Sequence, residues 1–200
     1  ILVLQITNAG MMALREGIVK ALVNLLAPAG ILLRNDNDNN IEQLPAYTEV
    51  LYGDVPDLVG MVENGVTFSV PVMEGQKTGW FYDHRESRAV LAKYSLNKRV
   101  LDVYSYLGGW GRQALAAGAD SLLCIDSSSS ALDLIRQQEE ANPECLEVMK
   151  SNAIEALKQL VNRGQQFDVV ILDPPAFIKR RKDQRSGEKA YHHINQLAVK

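Results

Sequence analysis

The sequence predicts an α/β protein in which a small α/β subdomain precedes a Rossmann-like parallel sheet, which we expect to be truncated at its C-terminal end. Three observations predict this. Between residues 99 and 172, four short apolar runs alternate with helix-like stretches, which is typical of βαβ units. The first run leads straight into the turn Gly108-Gly109-Trp110-Gly111, and the second and fourth runs end in acids, Asp126 and Asp173. Because ligands bind beyond the carboxyl ends of such strands, these residues are the first candidates for a site.

We divide the chain into three parts. Residues 1–74 form the small α/β subdomain, residues 75–98 a linker that also contributes contacts, and residues 99–200 the parallel-sheet domain. In the first part, a strand-like run precedes apolar residues at helical spacing between residues 11 and 26, and a second strand-like run follows at Ile31. Residues 61–62 and 66–70 predict a hairpin joined through Glu63-Asn64-Gly65.

The first strand of the sheet, residues 99–104, delivers its carboxyl end to the glycine loop. Glycine at a position such as Gly108 permits a positive φ angle and lets a ligand approach the main chain. The pattern Gly109-x-Gly111-x-x-Ala114 also matches the dinucleotide fingerprint. The loop by itself therefore leaves the cofactor open, and a tight turn without a ligand is a further alternative.

Asp126 ends the second apolar run, next to the glycine loop. A carboxylate at this place accepts hydrogen bonds from two ribose hydroxyls, whether the adenosine belongs to a nucleotide or to S-adenosylmethionine. The alternative is that Asp126, with Ser127 and Ser128, caps the helix that begins near Ser129. The two roles are compatible.

The fourth run leads into the motif Asp173-Pro174-Pro175-Ala176-Phe177. Two prolines remove two donors and stiffen the backbone, which holds the carboxylate in one place. A nucleobase that offers an amino group needs such an acceptor, and Phe177 offers a stacking face. A dehydrogenase has no evident need for this motif, so it favours S-adenosylmethionine as the cofactor; simple strand termination is the alternative.

With these motifs the chain resembles the bacterial large-subunit rRNA cytosine-C5 methyltransferases of the RlmI type. The resemblance covers essentially the whole chain, and its most specific part is the block at residues 75–88, which begins Gly75-Gln76-Lys77-Thr78-Gly79. It implies a class I methyltransferase with a Rossmann-like sheet. It also implies S-adenosylmethionine as the cofactor, ribosomal RNA as the partner and methyl transfer to C5 of a cytosine.

The resemblance also implies roles for individual residues. Asp102 and Gly108 line the cofactor, Asp126 holds its ribose, Asn152 meets the adenine, and Asp173 faces both the methyl group and the base. In the linker, Lys77 or Arg85 holds the methionine carboxylate, and Tyr82 or Trp80 covers it. The full expected cofactor set is Lys77, Tyr82, Asp83, Arg85, Asp102, Tyr104, Gly108, Asp126, Asn152 and Asp173. A linker that only packs the small unit onto the sheet, with Asp83 and Arg85 paired, is the alternative.

Two departures from the RlmI-type pattern bear on the function. His84 stands where the pattern has Gln, and a related group of rRNA guanine methyltransferases carries Asp-His-Arg in its version of this block. Guanine therefore stays an alternative target. Asn152 replaces a more usual Asp; its amide oxygen still accepts a hydrogen bond from an adenine amino group, but the interaction loses its charge. We expect weaker cofactor binding as a result.

Chemistry at C5 of cytosine needs a nucleophile that first adds to C6, usually a cysteine thiolate. Cys124 lies inside an apolar strand, and Cys145 lies in a loop without an evident base beside it. Neither is a credible nucleophile. The resemblance implies a nucleophilic cysteine beyond residue 200, so we expect a fragment that lacks a small RNA-binding domain before residue 1 and the last sheet strands after residue 200. Asp173 is the one catalytic candidate within the chain.

The net charge of −3 has the wrong sign for a protein that would attract RNA through its overall charge. The charge is unevenly placed, however, because a basic run follows the Asp-Pro-Pro motif. We expect this run to be a loop that clamps phosphates around an extruded base, and a solvated surface is the alternative. The expected RNA contacts are Pro174, Pro175, Phe177, Lys179, Arg180 and Arg181, with Lys182, Arg185 and Lys189 nearby.

Composition excludes several other classes. A chain of 200 residues with 46% apolar content can bury a sizeable core. No apolar run approaches the ~20 residues that cross a bilayer, so we expect no membrane partner. Two distant cysteines and the adjacent pair His192 and His193 predict neither a disulfide framework nor a metal site. A reducing, cytoplasmic compartment fits this composition. A homodimer is one possible assembly.

The sequence therefore predicts an S-adenosylmethionine-dependent RNA methyltransferase. Methylation of an rRNA guanine is the alternative within the same cofactor class. A dinucleotide-dependent oxidoreductase is an alternative that rests only on the glycine fingerprint and Asp126. A non-catalytic RNA-binding or assembly factor that keeps the fold is the third.

Overall fold

A computed structural model of the chain describes residues 1–35, 42, 45–75, 79–139 and 143–200. These residues divide into two compact units. One consists of Ile1–Met61 with Ser69–Tyr82, and the other of Val62–Phe68 with Asp83–Lys200.

The first unit is built on a three-stranded sheet with the order β1-β2-β3. Strand β1 (Leu2–Leu4) runs parallel to β2 (Gly30–Arg34), and β2 pairs antiparallel with β3 (Thr48–Gly53). Two helices, α1 (Ala9–Ala13) and α2 (Arg15–Leu26), connect β1 to β2. All five residues of β2 are buried, as expected for an apolar central strand. Strand β3 is mostly exposed and was not anticipated from the sequence.

A hairpin follows, formed by β4 (Leu58–Glu63) and β5 (Val66–Pro71). Asn64 and Gly65 join the two strands, and both have positive φ angles, +51° and +84°. Two-residue turns of this kind suit the right-handed twist of the strands, and Asn-Gly is the preferred pair for them. The hairpin predicted from the sequence is confirmed.

The second unit contains a four-stranded, fully parallel sheet with the order β8-β7-β6-β9. Its strands are β6 (Arg99–Val103), β7 (Ser121–Asp126), β8 (Leu146–Lys150) and β9 (Val169–Leu172). Its helices are α3 (Arg85–Ala92), α4 (Gly111–Ala116), α5 (Ser129–Gln138), α6 (Ala153–Asn162) and α7 (Gln184–Ala198). Strands β7 and β8 lie on one side of β6 and β9 on the other, so the strand order reverses at β6. Ligands bind at the carboxyl ends of strands at such a point.

The core of this unit has two layers because side chains alternate along each strand. Leu101 and Val103 of β6 pack with α6 and α7, whereas Val100 packs with residues of α4 and α5. Asp102 follows Val100 by two residues and therefore shares its face. The fold places a buried carboxylate under the first turn of α4.

Three parts of this unit differ in detail from the sequence predictions. The stretch predicted to be a turn-rich linker contains α3, preceded by a short 3-10 helix, Tyr82–His84. The basic run is interrupted by another 3-10 helix, Arg181–Asp183. Arg185 and Lys189 were predicted to belong to a basic loop but lie within α7. The basic loop is thus shorter than predicted, because the chain resumes a helix at Gln184.

A substitution at Gly111 tests the close packing of the first turn of α4 against β6 and β7. A Cβ atom there would lie 2.6 Å from Leu122 Cδ1 and 3.1 Å from Asp102 Oδ2. We expect Gly111→Ala to lower the free energy of unfolding by about 1–3 kcal/mol through overpacking. Urea unfolding measures this change.

Gly17→Ala is the matched control, because nothing lies within 4 Å of a Cβ atom at that position in α2. We expect the control to stabilise the protein by about 0.5–1 kcal/mol through the higher helix propensity of alanine. Equal stability of the Gly111→Ala variant and the unmodified protein would contradict the packing described here.

Candidate active site

The loop that follows β6 is held tightly against β7. Tyr104 N and Ser105 N donate to the same carbonyl, Ile125 O, at 2.9 and 3.1 Å. Tyr104, Tyr106 and Gly108 have positive φ angles of +67°, +48° and +71°. Left-handed conformations are uncommon for residues other than glycine and persist where the surroundings impose them. The loop therefore has one defined shape at the point where the strand order reverses.

Gly108 has the positive φ angle that the sequence predicts for it. A Cβ atom there would lie 3.2 Å from Arg112 Cγ and 3.3 Å from Ile135 Cδ1. The residue is needed for its positive φ angle and for packing against the protein. The approach of a cofactor to its main chain stays a prediction.

Asp102 is completely buried at the end of β6. Its Oδ2 atom accepts a hydrogen bond from Gly111 N at 2.9 Å, and its buried Oδ1 atom has no hydrogen-bond partner among the described residues. Burial raises the pKa of Asp102 to about 7, and the negative charges of Asp173 and Asp126 act in the same direction. The Gly111 N–H and the Arg88 charge oppose this shift. A cation or donor near Oδ1 would stabilise the ionised form.

Asp126 accepts hydrogen bonds with both carboxylate oxygens. Tyr106 N donates to Oδ2 at 2.9 Å, and Ser128 N donates to Oδ1 at 2.8 Å. The side chain that caps α5 is Ser128, whose Oγ atom accepts from Ala131 N at 3.3 Å. A carboxylate offers about four lone-pair positions, so each oxygen of Asp126 keeps one for a further donor. Both oxygens are held by main-chain donors, and each can accept one further hydrogen bond.

Asn152 is the N-cap of α6. Its Oδ1 atom accepts from Ile154 N at 3.0 Å, and the residue is exposed. The predicted adenine contact would use the same oxygen, which has a second lone pair for it. The capping role is additional to the predicted one, and Asn directly before a helical run is a known sequence signal for it.

Asp173 follows β9, directly beside the glycine loop. Its Oδ2 atom accepts from Trp110 Nε1 at 3.0 Å, and His84 Nδ1 lies 3.5 Å from the same oxygen. His84 Nε2 in turn lies 3.8 Å from Asp83 Oδ2. The Asp173 side chain is 37% exposed, and its Oδ1 atom takes part in none of these contacts. The contacts with Trp110 and His84 therefore both involve one carboxylate oxygen.

The residues after Asp173 are partly exposed. Pro174 is half-buried, whereas Pro175, Lys179, Arg180 and Arg181 are exposed. The ring of Phe177 lies 4.7 Å from that of Tyr191 at an angle of 52°, and Phe177 N donates to Tyr191 Oη at 3.2 Å. Phe177 therefore has a partner within the protein, and base stacking on it stays a prediction.

The linker residues predicted to contact the cofactor are exposed where the structure describes them. Lys77 lies outside the described residues. Tyr82 belongs to the first unit and is 66% exposed. Asp83 and Arg85 belong to the second unit and are both exposed, and the main-chain oxygen of Arg85 accepts from Asn64 Nδ2 at 3.0 Å. Their predicted contacts with the methionine end of a cofactor stay predictions.

Neither cysteine is placed for nucleophilic chemistry. Cys124 is fully buried in β7, and burial, followed by the Asp102 charge, raises the pKa of its thiol well above the usual value. A raised pKa keeps the thiol protonated and inert. Cys145 lies immediately before β8, at the opposite edge of the sheet from Asp173.

Among the described residues, no group of three or more His, Cys, Asp or Glu side chains is arranged to hold a metal ion. Within the same ranges, no helix combines the length and apolar character required to cross a membrane.

Comparison with known proteins gives the class of this site. A family model described as S-adenosylmethionine-dependent methyltransferase matches residues 44–186. Proteins named ribosomal RNA large subunit methyltransferase I are 37% identical in Aliivibrio fischeri and 36% identical in Aeromonas salmonicida, each over 98% of this chain and 51% of its own length. The crystal structure of SMU.776, solved in complex with SAH, matches with a TM-score of 0.80 and 24% identity over 98% of this chain and 51% of that chain. This chain spans about half the length of these relatives.

The chain therefore belongs to the S-adenosylmethionine-dependent methyltransferase family. The site fits the cofactor of that family. Each Asp126 oxygen keeps a lone pair for a further donor such as a ribose hydroxyl, and positive charge near the buried Oδ1 atom of Asp102 would stabilise its ionised form. The sulfonium and ammonium groups of S-adenosylmethionine supply positive charge.

The raised pKa of Asp102 predicts how stability depends on pH. The folded protein holds this proton up to about pH 7, whereas the ordinary pKa is 3.8, so the folded state binds more protons between these values. The free energy of unfolding should therefore fall as the pH rises through this window. In Asp102→Asn this contribution is absent, so the variant should gain stability relative to the unmodified protein as the pH rises, with a constant difference above about pH 7. Urea unfolding across the window measures the difference, and parallel pH profiles would contradict a raised pKa.

Asp126 offers a direct test of cofactor contact. Asp126→Ala removes two charge-assisted acceptors and should weaken binding of S-adenosylhomocysteine by roughly 1–3 kcal/mol. Asp133→Ala is the matched control, because it removes a carboxylate from α5 that is 56% exposed and paired with Arg136. Isothermal titration gives both affinities. Equal affinities in the two variants would remove Asp126 from the cofactor site.

Proposed function

We propose that the protein transfers a methyl group from S-adenosylmethionine to a base of large-subunit ribosomal RNA, with C5 of a cytosine as the favoured target. One structural observation carries this proposal. Asp173 lies beside the glycine loop with one carboxylate oxygen held by Trp110, and two prolines stiffen the chain directly after it. The names of relatives at 36% and 37% identity support rRNA as the substrate.

In the proposed complex, the cofactor lies along the carboxyl ends of β6, β7 and β8. Asp126 holds the ribose and Asn152 contacts the adenine. Asp102 near the end of β6 and Tyr104 and Gly108 in the loop after it line the cofactor. Asp83 and Arg85 are proposed to contact the methionine end. The same proposal for Lys77 and Tyr82 rests on the resemblance alone.

The base is proposed to approach from the side of β9. The free Oδ1 atom of Asp173 accepts a hydrogen bond from an exocyclic amino group, and Pro174, Pro175 and Phe177 bound the space beside it. Lys179, Arg180 and Arg181 are exposed a few residues later and are proposed to bind phosphates. Alignment of the methyl group with the target atom in a fixed geometry accounts for much of the rate, since positioning replaces an encounter of two free reactants.

The cofactor supplies an activated methyl group, and the chain supplies orientation. C5 of cytosine additionally requires a thiolate, which neither Cys124 nor Cys145 provides. Methylation of a guanine needs no such adduct, and guanine is the second candidate target. The observation that favours it is the position of His84, the residue that the related guanine methyltransferases carry in this block: it lies 3.5 Å from Asp173. Homodimer formation and a cytoplasmic location also stay proposals.

The role of Asp173 gives a prediction for activity. Asp173→Ala should abolish methyl transfer, because the base loses its acceptor, and should leave the affinity for S-adenosylhomocysteine within about twofold, because the ribose contacts remain. The assay uses the full protein, labelled S-adenosylmethionine and unmodified large-subunit rRNA, with mass spectrometry to identify the product. Methylcytosine supports the favoured target and methylguanine the second candidate. Normal turnover by the variant would contradict the role of Asp173.

The basic residues after Asp173 give a prediction for salt dependence. Arg180→Gln with Arg181→Gln should reduce the slope of log K against log salt concentration by about 1–2 for rRNA binding, because up to two phosphate contacts are lost. Arg136→Gln with Arg163→Gln is the control, because these exposed residues lie at the C-terminal ends of α5 and α6, each of which precedes the start of the next strand, away from the carboxyl strand ends. Identical slopes in both double variants would make Arg180 and Arg181 ordinary surface residues.

A further inference from the structure

Trp110 ends the glycine loop and contacts Asp173 through the only hydrogen-bond donor of its side chain. The Nε1–Oδ2 distance is 3.0 Å. The backbone of Trp110 is fixed at the N-cap position of α4, and its carbonyl oxygen accepts from Ala114 N at 3.1 Å. A donor on a fixed backbone that reaches a carboxylate 63 residues away restricts where that carboxylate can turn.

The indole ring is itself held by two side chains. The His84 imidazole and the indole ring form a T-shaped pair with a centroid distance of 5.5 Å and an interplanar angle of 82°. The Arg88 guanidinium carbon lies 5.5 Å from the centroid of the indole ring, in the range of a cation–π interaction. Since His84 also lies 3.5 Å from Asp173, the two aromatic side chains meet at the same carboxylate oxygen.

Arg88 is in turn held by a buried ion pair. Its side chain is 4% exposed, and its Nη1 atom lies 2.7 Å from Oε1 of Glu63, which is 2% exposed. Gln113 Nε2 donates to the same Glu63 oxygen at 2.9 Å. Breaking a buried ion pair is costly because it leaves an uncompensated charge. A continuous set of contacts therefore runs from the hairpin tip, through Arg88 and Trp110, to Asp173.

Packing alone does not account for this arrangement. The Trp110 ring also contacts the apolar cluster between the sheet and α4 and α5, and a phenylalanine ring would make similar contacts there. The indole N–H is the part that a phenylalanine lacks, and it is directed at Asp173.

We propose that Trp110 is a positioning residue for methyl transfer: its indole N–H holds the Asp173 carboxylate so that the second oxygen faces the base, and Arg88 and His84 hold the indole. This inference rests on the proposed function of Asp173. Trp110 acts through Asp173 and does not itself touch the reacting atoms.

The kinetic test is Trp110→Phe, which keeps an aromatic ring and removes the donor. We expect kcat for rRNA methylation to fall about tenfold or more, with KM for rRNA and the affinity for S-adenosylhomocysteine within about twofold of the unmodified protein. Tyr94→Phe is the control, because it also removes one polar hydrogen from an aromatic residue of the second unit, at a position that is 67% exposed. An unchanged kcat in a folded Trp110→Phe variant would overturn the proposal, whereas a rise in KM alone would assign Trp110 to RNA binding and overturn it as well.

The second test does not depend on the reaction. In a ¹H–¹⁵N spectrum of the full chain, the Trp110 indole signal is identified by its loss in Trp110→Phe. We expect this signal to move upfield in Asp173→Ala, because its carboxylate acceptor is gone, and to stay in place in Asp133→Ala. An unmoved signal in Asp173→Ala would overturn the inference even if the protein methylates rRNA. If the unmodified protein methylates no rRNA, the proposed function fails, and the indole signal still decides whether Trp110 holds Asp173.

Discussion

The hydrogen bond from Gly111 N to the buried Asp102 carboxylate is the constraint on which the site depends. It joins the end of the central strand to the first turn of α4 at 2.9 Å and thereby closes the loop between them. The loop places Tyr106 N on the Asp126 carboxylate and places Trp110 beside Asp173. A change that lengthens the Asp102–Gly111 hydrogen bond would displace both Tyr106 N and Trp110, because both belong to the loop that this hydrogen bond closes.

Charge explains why this edge of the sheet suits a cationic cofactor. Three carboxylates, those of Asp102, Asp126 and Asp173, lie near enough for the latter two to raise the pKa of the first. The positive charge of Arg88 lowers the pKa of Asp102, but that side chain is already paired with Glu63. A ligand with positive charge relieves this repulsion, whereas an anionic pyrophosphate adds to it. The electrostatics therefore agree with the family to which the chain belongs and disfavour a dinucleotide.

The elements that sequence patterns predict here are those with strong local signals. The apolar strands and the Asn64-Gly65 turn were anticipated, and so was the position of Asp173 at a strand end. Strand β3 was not, because an exposed edge strand lacks the alternation that marks burial. The contact of Trp110 with Asp173 and the pairing of Arg88 with Glu63 were not anticipated either. Each joins residues 63 or 25 positions apart, and periodicity carries no information about such pairs.

Parallel isothermal titration of the full chain with S-adenosylhomocysteine and with NAD tests the central claim most directly, because the two ligands share adenosine and differ in charge and in the groups that the strand ends would contact. We predict saturable binding of S-adenosylhomocysteine and no detectable heat with NAD. Binding of NAD alone would contradict the account, since it would mean that the glycine loop and Asp126 serve a dinucleotide and that the Asp173 motif has another purpose.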